Sequence, residues 1–159
     1  MENENIFLMV KATIVGFAGA FSAAFGWLGW LVLAWVACMA VDFITGSGAA
    51  SKNGEWSSAE ARAGIWHKAG MIAVVVVAAV ADAVLGIAVN TADFLPMEYT
   101  LLILPVVLMW YILTELGSIL ENAVAMGAPV PPFLIQILAA AKDKVEEIGG
   151  DDNQKNINQ

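Results

Sequence analysis

The sequence predicts an all-α membrane protein in which three transmembrane helices are flanked by an N-terminal and a C-terminal amphipathic helix. Of its 159 residues, 60% are hydrophobic and only 14% are charged, whereas soluble domains have about 25% charged residues. Three apolar segments separated by polar linkers are each long enough to cross a bilayer core, which takes roughly 20 helical residues. This composition leaves room for one small membrane domain, expected at residues 26–148, and for no separate soluble domain.

The first predicted span covers residues 26–45. Trp27 and Trp30 stand at its start, where aromatic residues anchor helices at the membrane interface. The apolar side chains of the segment offset the insertion cost of a single carboxylate, Asp42, which lies close to one end. We therefore expect this segment to insert into the bilayer.

Two further spans follow, at residues 68–89 and 97–121. Asp82 lies well inside the second span, and a short acidic loop at residues 90–96 connects the two. In the third span Tyr99 is expected to act as an interfacial anchor. Pro105 is expected to bend that helix because it lacks a backbone donor.

The N-terminal residues 1–25 allow two interpretations. Bulky residues recur at helical spacing on one face, and small residues recur every four positions on another, which would allow a second helix to approach closely. We expect an amphipathic helix in the membrane interface, and the alternative is an extra span that turns back at residues 26–29. The small ridge consists of Ala12, Gly16, Ala20 and Ala24.

The C-terminal part of the chain predicts one more helix and a tail. A run rich in glycine and proline at residues 127–132 ends the third span. Residues 133–148 then place apolar side chains on one face of a helix and charged side chains on the other, so this helix should lie on the membrane or on a partner. Residues 149–159 are polar without periodicity, which is typical of a disordered tail.

The distribution of Lys and Arg predicts the orientation of the spans, because these residues accumulate on the cytoplasmic side. Basic residues lie in the linker after the first span and in the C-terminal segment, and the loop after the second span has none. We therefore expect the N-terminus outside and the C-terminus in the cytoplasm. The basic residues concerned are Lys52, Arg62, Lys68, Lys142, Lys144 and Lys155.

Each predicted span carries one line of small or polar residues at helical spacing. Lipid offers such groups no hydrogen-bonding partner, so the lines should face protein or water. We expect them to form subunit contacts or to line a pore, and the alternative is packing within one subunit. The lines are Ala34, Cys38, Asp42 and Gly46 in the first span, Ala78, Asp82, Gly86 and Asn90 in the second, and Tyr111, Glu115, Ser118 and Asn122 in the third.

The depth of the charged residues predicts which of them pair. Asp42 and Glu115 fall in the same half of the membrane as Lys68, so Lys68 is expected to pair with one or the other. Asp82 lies about 20 Å further along its helix, where the sequence places no basic residue. We expect Asp82 to be protonated or to face water between subunits.

Several function classes are disfavoured by composition. The formal charge of −8 argues against binding to nucleic acid, which requires clustered Lys and Arg. One histidine, His67, and one cysteine do not make a metal site. The glycines form neither a phosphate-binding loop nor a dinucleotide fingerprint. We expect no cofactor and no enzymatic activity.

Four short motifs occur in a fixed order along residues 11–148. They are Asp42-Phe43-Ile44-Thr45-Gly46, then Ser57-Ser58 with Gly64 and Lys68, then Glu115-Leu116-Gly117-Ser118-Ile119-Leu120-Glu121-Asn122, and finally Gly127-Ala128-Pro129-Val130-Pro131 before the last helix. In this order and at this chain length, the motifs resemble the phage-lysis and toxin-secretion holin family.

The resemblance implies a protein of the bacterial cytoplasmic membrane that accumulates as a homo-oligomer. It also implies lesions through which a folded endolysin reaches the cell wall or, in some members, a large toxin leaves the cell. The partners would be other copies of the chain and the lipid bilayer, and the cargo need not bind directly. The residues alone leave two alternatives, a small ion or proton channel or transporter subunit that uses intramembrane carboxylates, and a membrane scaffold whose C-terminal helix recruits a partner.

Overall fold

The computed structural model describes residues 2–91 and 99–149, which form helices and no strands. The helices are α1 (Glu2–Asn53), α2 (Ser58–Asn90), α3 (Ile103–Ala125) and α4 (Pro132–Gly149). By length and composition, α1, α2 and α3 are each able to cross a membrane. The predicted all-α class with three spanning helices and a C-terminal helix is confirmed.

A kink at Gly26 divides α1 into two parts. Gly26 has φ 60° and ψ −158°, a backbone conformation that is essentially restricted to glycine. We call residues 2–25 the N-terminal arm and residues 27–53 the inner segment of α1. Side chains of the arm are exposed along nearly all of its described length, so the arm lies apart from the helical bundle.

Contacts across the kink fix the angle between the two parts. The Trp30 indole donates a hydrogen bond to Ser22 Oγ at 2.8 Å, and its ring meets Phe21 edge-on with 5.0 Å between centroids. A Cβ atom added at Gly29 would lie 2.5 Å from the Cβ of Phe25. Glycine at this position therefore permits the close approach of the arm to the inner segment.

Helix α3 lies between the inner segment of α1 and helix α2, which touch each other only slightly. The inner segment runs parallel to α3, and α2 runs antiparallel to both. Their shared core is a layer of buried apolar side chains that we call the apolar layer, within which Leu108 is completely buried. The apolar layer consists of Trp35, Met39, Met71, Val75 and Leu108.

Two helix ends are stabilised by side chains that satisfy backbone groups left free by the helical pattern. Ser57 Oγ accepts a hydrogen bond from the Glu60 backbone N–H at 3.1 Å and so caps the start of α2. At the other end of the connection, the Lys52 ammonium donates to the carbonyl oxygen of Met126, which ends α3. The contact of Lys52 with Met126 holds the end of α1 against the end of α3.

The third spanning helix begins later than the sequence indicated. α3 runs from Ile103 to Ala125, whereas the predicted span was 97–121, and residues 99–102 precede it in a non-helical conformation. Pro105 lies in the first turn, where its missing N–H has no intrahelical acceptor, so the predicted bend at Pro105 is wrong. Most of the predicted acidic loop at 90–96 and the predicted start at 97 lie outside the described residues.

Helix α4 folds back along α3 in the antiparallel direction. Val145 is buried against α3, and a Cβ atom added at Gly149 would lie 3.3 Å from Val106 Cγ1. The Trp110 indole donates to Glu146 Oε1 at 2.8 Å, and the Lys142 ammonium lies 4.7 Å from the Trp110 ring centroid. α4 therefore occupies a face of the third spanning helix. The predicted tail lies outside the described residues from residue 150 onwards.

Candidate functional site: two polar clusters in the bundle

Three charged residues, one from each spanning helix, meet at Lys68. Its ammonium lies 2.9 Å from Asp42 Oδ2 and 2.6 Å from Glu115 Oε2. The side chains of Lys68 and Asp42 are 16% and 17% exposed, and that of Glu115 is 4% exposed. Lys68 therefore makes both of the contacts between which the sequence did not decide, and it joins α1, α2 and α3 at one level.

Asn122 extends this group along α3. Its side-chain Nδ2 donates to Asp42 Oδ1 at 3.1 Å and to Thr45 Oγ1 at 3.2 Å. A Cβ atom added at Gly46 would lie 3.4 Å from the same Nδ2, so glycine at this position leaves room for the amide. We call Asp42, Lys68, Glu115 and Asn122 the ionic cluster.

The ionic cluster constrains how the three helices can move. A carboxylate within a membrane is tolerated when a charged or hydrogen-bonding partner meets it, and each carboxylate here has one. Removal of one partner from a buried ion pair is far more costly than replacement of the whole pair. Because one charged group comes from each of three helices, a slide or rotation of any helix would break at least one contact.

A second cluster forms where α2 meets the start of α3. Asp82 is 1% exposed. Its Oδ1 accepts hydrogen bonds from the Tyr99 hydroxyl at 2.5 Å and from the N–H groups of Leu102 at 3.2 Å and Ile103 at 3.0 Å. Its Oδ2 accepts from the Leu104 N–H at 2.7 Å. We call Asp82, Tyr99 and these three amides the cap cluster.

The cap cluster provides hydrogen-bond acceptors for the backbone N–H groups at the start of α3. The first N–H groups of a helix have no partner within it, and Leu102 at the N-cap position supplies no side-chain hydrogen bond. The Asp82 carboxylate takes this role from the neighbouring helix, and its negative charge faces the positive end of the helix dipole. The expectation that Asp82 faces water between subunits is therefore wrong for this chain.

Tyr99 is the residue of the cap cluster whose role the sequence did not reveal. Asn90 Oδ1 accepts from the Tyr99 N–H at 2.8 Å, and the Tyr99 ring lies 3.7 Å from a Cβ atom added at Gly86. The hydrogen bond to the Asp82 carboxylate raises the pKa of the Tyr99 phenol above its ordinary value. The spacing of Asp82, Gly86 and Asn90 was the available signal, since all three residues contact Tyr99.

The predicted polar lines are thus largely used within one chain. The structure joins most of their members to the ionic cluster or the cap cluster, and Ser118 lines the same cleft as Asp42 and Lys68. Ala78 is buried in the bundle, Cys38 is half-buried, and Ala34 is exposed. For the joined residues, the alternative of packing within one subunit describes the chain better than a pore-facing line. The residues joined in this way are Asp42, Gly46, Asp82, Gly86, Asn90, Glu115 and Asn122.

The small ridge of the N-terminal arm has a different setting. All four of its residues are exposed, and nothing lies within 4 Å of a Cβ atom added at Gly16. The ridge therefore makes no use of its small side chains within the described chain. Its close packing against another helix stays a prediction. The ridge residues are Ala12, Gly16, Ala20 and Ala24.

The apolar layer separates the two polar clusters. Lys68 and Asp82 are about 21 Å apart along α2 at about 1.5 Å per residue, and Met71 and Val75 lie between them in the layer with Leu108 of α3. In the part of the chain that the structure describes, the core between the two clusters is therefore formed by apolar side chains. Among those residues, no group of three His, Cys, Asp or Glu side chains is placed to hold a metal ion.

The fold and the clusters define a membrane protein with several spanning helices, whose intramembrane charges hold its own helices together. Comparison of sequences is more specific. The chain belongs to the bacteriophage holin family, whose profile matches residues 19–143, and the resemblance inferred from the four motifs is confirmed.

Two relatives come from Listeria. Uncharacterized protein Lin0175 of Listeria innocua and Uncharacterized protein Lmo0128 of Listeria monocytogenes are each 32% identical to this chain over 148 residues. The similarity covers 93% of this chain and 94% of each relative. No solved structure matches the chain significantly.

Proposed function

We propose that this protein is a holin that assembles as a homo-oligomer in the bacterial cytoplasmic membrane and opens lesions wide enough for a folded protein. The cargo would be an endolysin that degrades the cell wall or, in a toxin-exporting system, a large toxin. The membership in the bacteriophage holin family supports the class of protein. The structure bears on how such a protein would work.

The observation that carries the proposal is the apolar layer between the ionic cluster and the cap cluster. The layer places buried apolar side chains, with Leu108 completely buried among them, in the core of the described bundle between the two polar clusters. This arrangement disfavours ion conduction through one subunit and favours passage between subunits. This favours a lesion built from many copies over a channel or transporter that conducts through one bundle by means of Asp82 and Glu115.

The exposed surface of the bundle supports the assembly in lipid. Large apolar side chains on α2 point away from the other helices, among them Val77 at 67% exposed and Ile87 at 70%. Such a surface suits lipid or the apolar face of another copy. Because the intramembrane charges are already paired inside the chain, single subunits can accumulate in the bilayer before they assemble.

The proposed orientation has the N-terminus outside and the C-terminus in the cytoplasm. Two observations support this orientation: Lys52 contacts the carbonyl of Met126, so the ends of α1 and α3 lie together, and the linker that follows α1 is basic. If the N-terminal arm crossed the bilayer as an extra span, the N-terminus would lie in the cytoplasm instead. Protease protection of an epitope at each terminus distinguishes these arrangements.

The function is tested by timed expression in a bacterium together with an endolysin that has no export signal of its own. We expect normal growth, then an abrupt arrest at a reproducible time, followed by lysis. Expression of either protein alone is the control, and neither should lyse the cells promptly. Graded depolarisation from the start of expression, with the endolysin retained in the cytoplasm, would identify a channel and overturn the proposal. A scaffold would produce neither effect.

A further inference from the structure

Two exposed charges of opposite sign lie at the same level of the bundle. Arg62 precedes Lys68 by six residues in α2, and Glu121 follows Glu115 by six residues in α3. Lys68 and Glu115 form an ion pair at 2.6 Å, and α2 runs antiparallel to α3. At about 1.5 Å per residue, Arg62 and Glu121 therefore both lie about 9 Å beyond this ion pair, toward the linker that joins α1 to α2.

Both charges are turned away from the core of the bundle. A helix turns about 100° per residue, so Arg62, nine residues before the buried Met71, lies on the opposite side of α2. Glu121 lies thirteen residues after the buried Leu108 and points about 140° away from it. Both side chains are exposed, and among residues 2–91 and 99–149 neither has an ion pair. Both charges are therefore available to a partner outside that part of the chain.

The residues one helical turn nearer to the ion pair differ strongly in size. Trp66 follows Arg62 by four residues and is 77% exposed. Gly117 precedes Glu121 by four residues, and nothing lies within 4 Å of a Cβ atom added there. Gly117 and Glu121 line the cleft between α3 and α4, so α4 does not cover either of them. Trp66 and Gly117 also share one level, since each is two residues from a member of the ion pair.

These four residues form two complementary patches. We call Arg62 and Trp66 the α2 patch, and Gly117 and Glu121 the α3 patch. The α2 patch offers a cation and a large apolar ring, and the α3 patch offers an anion and open space. Arg62 is the chain's one arginine, and its planar guanidinium can bind a carboxylate through two parallel hydrogen bonds. Charge and shape therefore match when the two patches face each other at one level.

The two patches cannot meet within one chain, because the α2 patch lies on the side of α2 that faces away from α3. Copies of a membrane protein share one orientation, since each inserts according to the same distribution of basic residues. Neighbouring copies therefore keep corresponding residues at the same depth. The α2 patch of one copy is thus at the level of the α3 patch of the next.

We infer that the α2 patch of one copy docks on the α3 patch of the next, with Arg62 paired with Glu121 and Trp66 over Gly117. This inference rests on the proposed function and names the contact that builds the assembly. The contact joins two different surfaces, so each docked pair of subunits retains one free patch of each kind. Copies can therefore be added until a ring closes, which suits a lesion built from many subunits.

A phospholipid headgroup is the competing occupant of the α2 patch, since basic and aromatic side chains also anchor helices at the membrane interface. Such an anchor requires neither Glu121 nor Gly117. Reversal of one charge separates the two occupants. Arg62→Glu places two carboxylates at each contact between copies, and Glu121→Arg places two cations there, so neither chain should assemble alone. A mixture of the two chains can alternate, because every contact in it then pairs opposite charges.

The test is expression of each reversed chain, alone and as a mixture, together with an endolysin. Release of the endolysin is measured, and so is the fraction of the protein that can be cross-linked into oligomers in intact membranes. We expect each reversed chain alone to lose both, and the mixture to recover both. Exchange of the two charges in a single chain, Arg62→Glu with Glu121→Arg, should also recover both. The matched control, Arg62→Glu with Glu60→Arg, restores the net charge at another exposed position of α2 and should recover neither.

The outcomes separate the inference from the proposed function. Release by either reversed chain alone at the normal time would overturn the inference while the proposed function stood. Loss in both chains without recovery in the mixture would also overturn it and would indicate a headgroup contact. Failure of the unmodified chain to release endolysin would instead refute the proposed function.

Substitution at Gly117 gives a second, independent result. Gly117→Leu should not lower the melting temperature of the purified chain, because nothing lies within 4 Å of a Cβ atom added there. It should nevertheless abolish the cross-linked oligomers, because it fills the place of Trp66. Gly70 has the same open space and lies outside both patches, so Gly70→Leu should leave the oligomers unchanged. Equal amounts of oligomer in the two variants would overturn the role of the α3 patch.

Discussion

Replacement of Lys68 by methionine should destabilise the bundle more than any other single charge removal. The substitution keeps much of the side-chain length but leaves Asp42 and Glu115 without their shared cation. These carboxylates lie 2.9 Å and 2.6 Å from the Lys68 ammonium. Asp42 retains the Asn122 amide at 3.1 Å, so the larger loss falls on Glu115.

The expected magnitude follows from burial. Removal of one partner from a buried ion pair costs about 3–5 kcal/mol. Lys68 and Asp42 are 16% and 17% exposed, so they keep part of their hydration, whereas Glu115 is 4% exposed. We therefore expect the lower end, about 3 kcal/mol less free energy of unfolding. A further Glu115→Gln substitution in the Lys68→Met chain should recover about 1–2 kcal/mol, because a neutral amide replaces the unpaired charge.

The assay is reversible unfolding of the purified protein in mixed micelles by titration with a denaturing detergent. The control is Arg62→Met, which removes one positive charge from an exposed position near the start of α2 and should change the free energy of unfolding little. Equal effects of the Lys68 and Arg62 substitutions would refute the role of the ionic cluster. Additive effects of the Lys68 and Glu115 substitutions would show that the two residues are not coupled.

Three further predictions concern helix ends and glycines. Asp82→Asn should cost about 1–2 kcal/mol and speed amide hydrogen exchange in the first turn of α3, and unchanged exchange there would contradict the cap cluster. Gly26→Ala should lower the free energy of unfolding by about 1–3 kcal/mol. Gly19 is an ordinary helical position, with nothing within 4 Å of an added Cβ atom, so Gly19→Ala should stabilise the arm by about 0.5–1 kcal/mol. Thermal melts followed by circular dichroism compare the two variants, and equal shifts would show that the kink does not depend on glycine. Gly46→Leu should displace the Asn122 amide, which lies 3.4 Å from a Cβ atom added at Gly46, and so lower both the melting temperature and lysis. Gly70→Leu should leave both unchanged, because nothing lies within 4 Å of a Cβ atom added at Gly70. A similar loss in both variants would argue against the close approach at Gly46.

The ionic cluster could be anticipated because lipid makes charge pairing almost obligatory. Lys68 was the one lysine or arginine at the depth of Asp42 and Glu115, so few pairings were open. Sequence could not determine that one ammonium serves both carboxylates, because this depends on how closely three helices approach. The contribution of Asn122 depends on the same packing.

The cap cluster was not anticipated because its donors are backbone groups. Residue types and spacing show side-chain charges, and the sequence offered Asp82 no basic partner. Its partners are three amides at the start of α3, and these become available only because that helix begins at Ile103. Pro105 was the overlooked signal, since proline is favoured in the first turn of a helix and costs most in its interior.

The position of α4 shows another limit of sequence patterns. Amphipathic spacing over residues 133–148 predicted a helix with one apolar face, and the structure has that helix as α4. The pattern predicts that the apolar face is covered, but it does not identify the covering element. In the structure this element is α3, whose Trp110 contacts Lys142 and Glu146. No periodicity in α3 marks Trp110 as a residue that contacts α4.

The central claim is that many copies of this chain open a lesion wide enough for folded proteins. The most direct measurement is release of encapsulated cargo from vesicles of bacterial phospholipid that contain the purified protein, with a small dye and a folded enzyme of endolysin size in the same vesicles. The account predicts that, above a threshold ratio of protein to lipid, dye and enzyme leave together and in an abrupt step. Gradual loss of dye in proportion to the protein added, with the enzyme retained at every ratio, would contradict it.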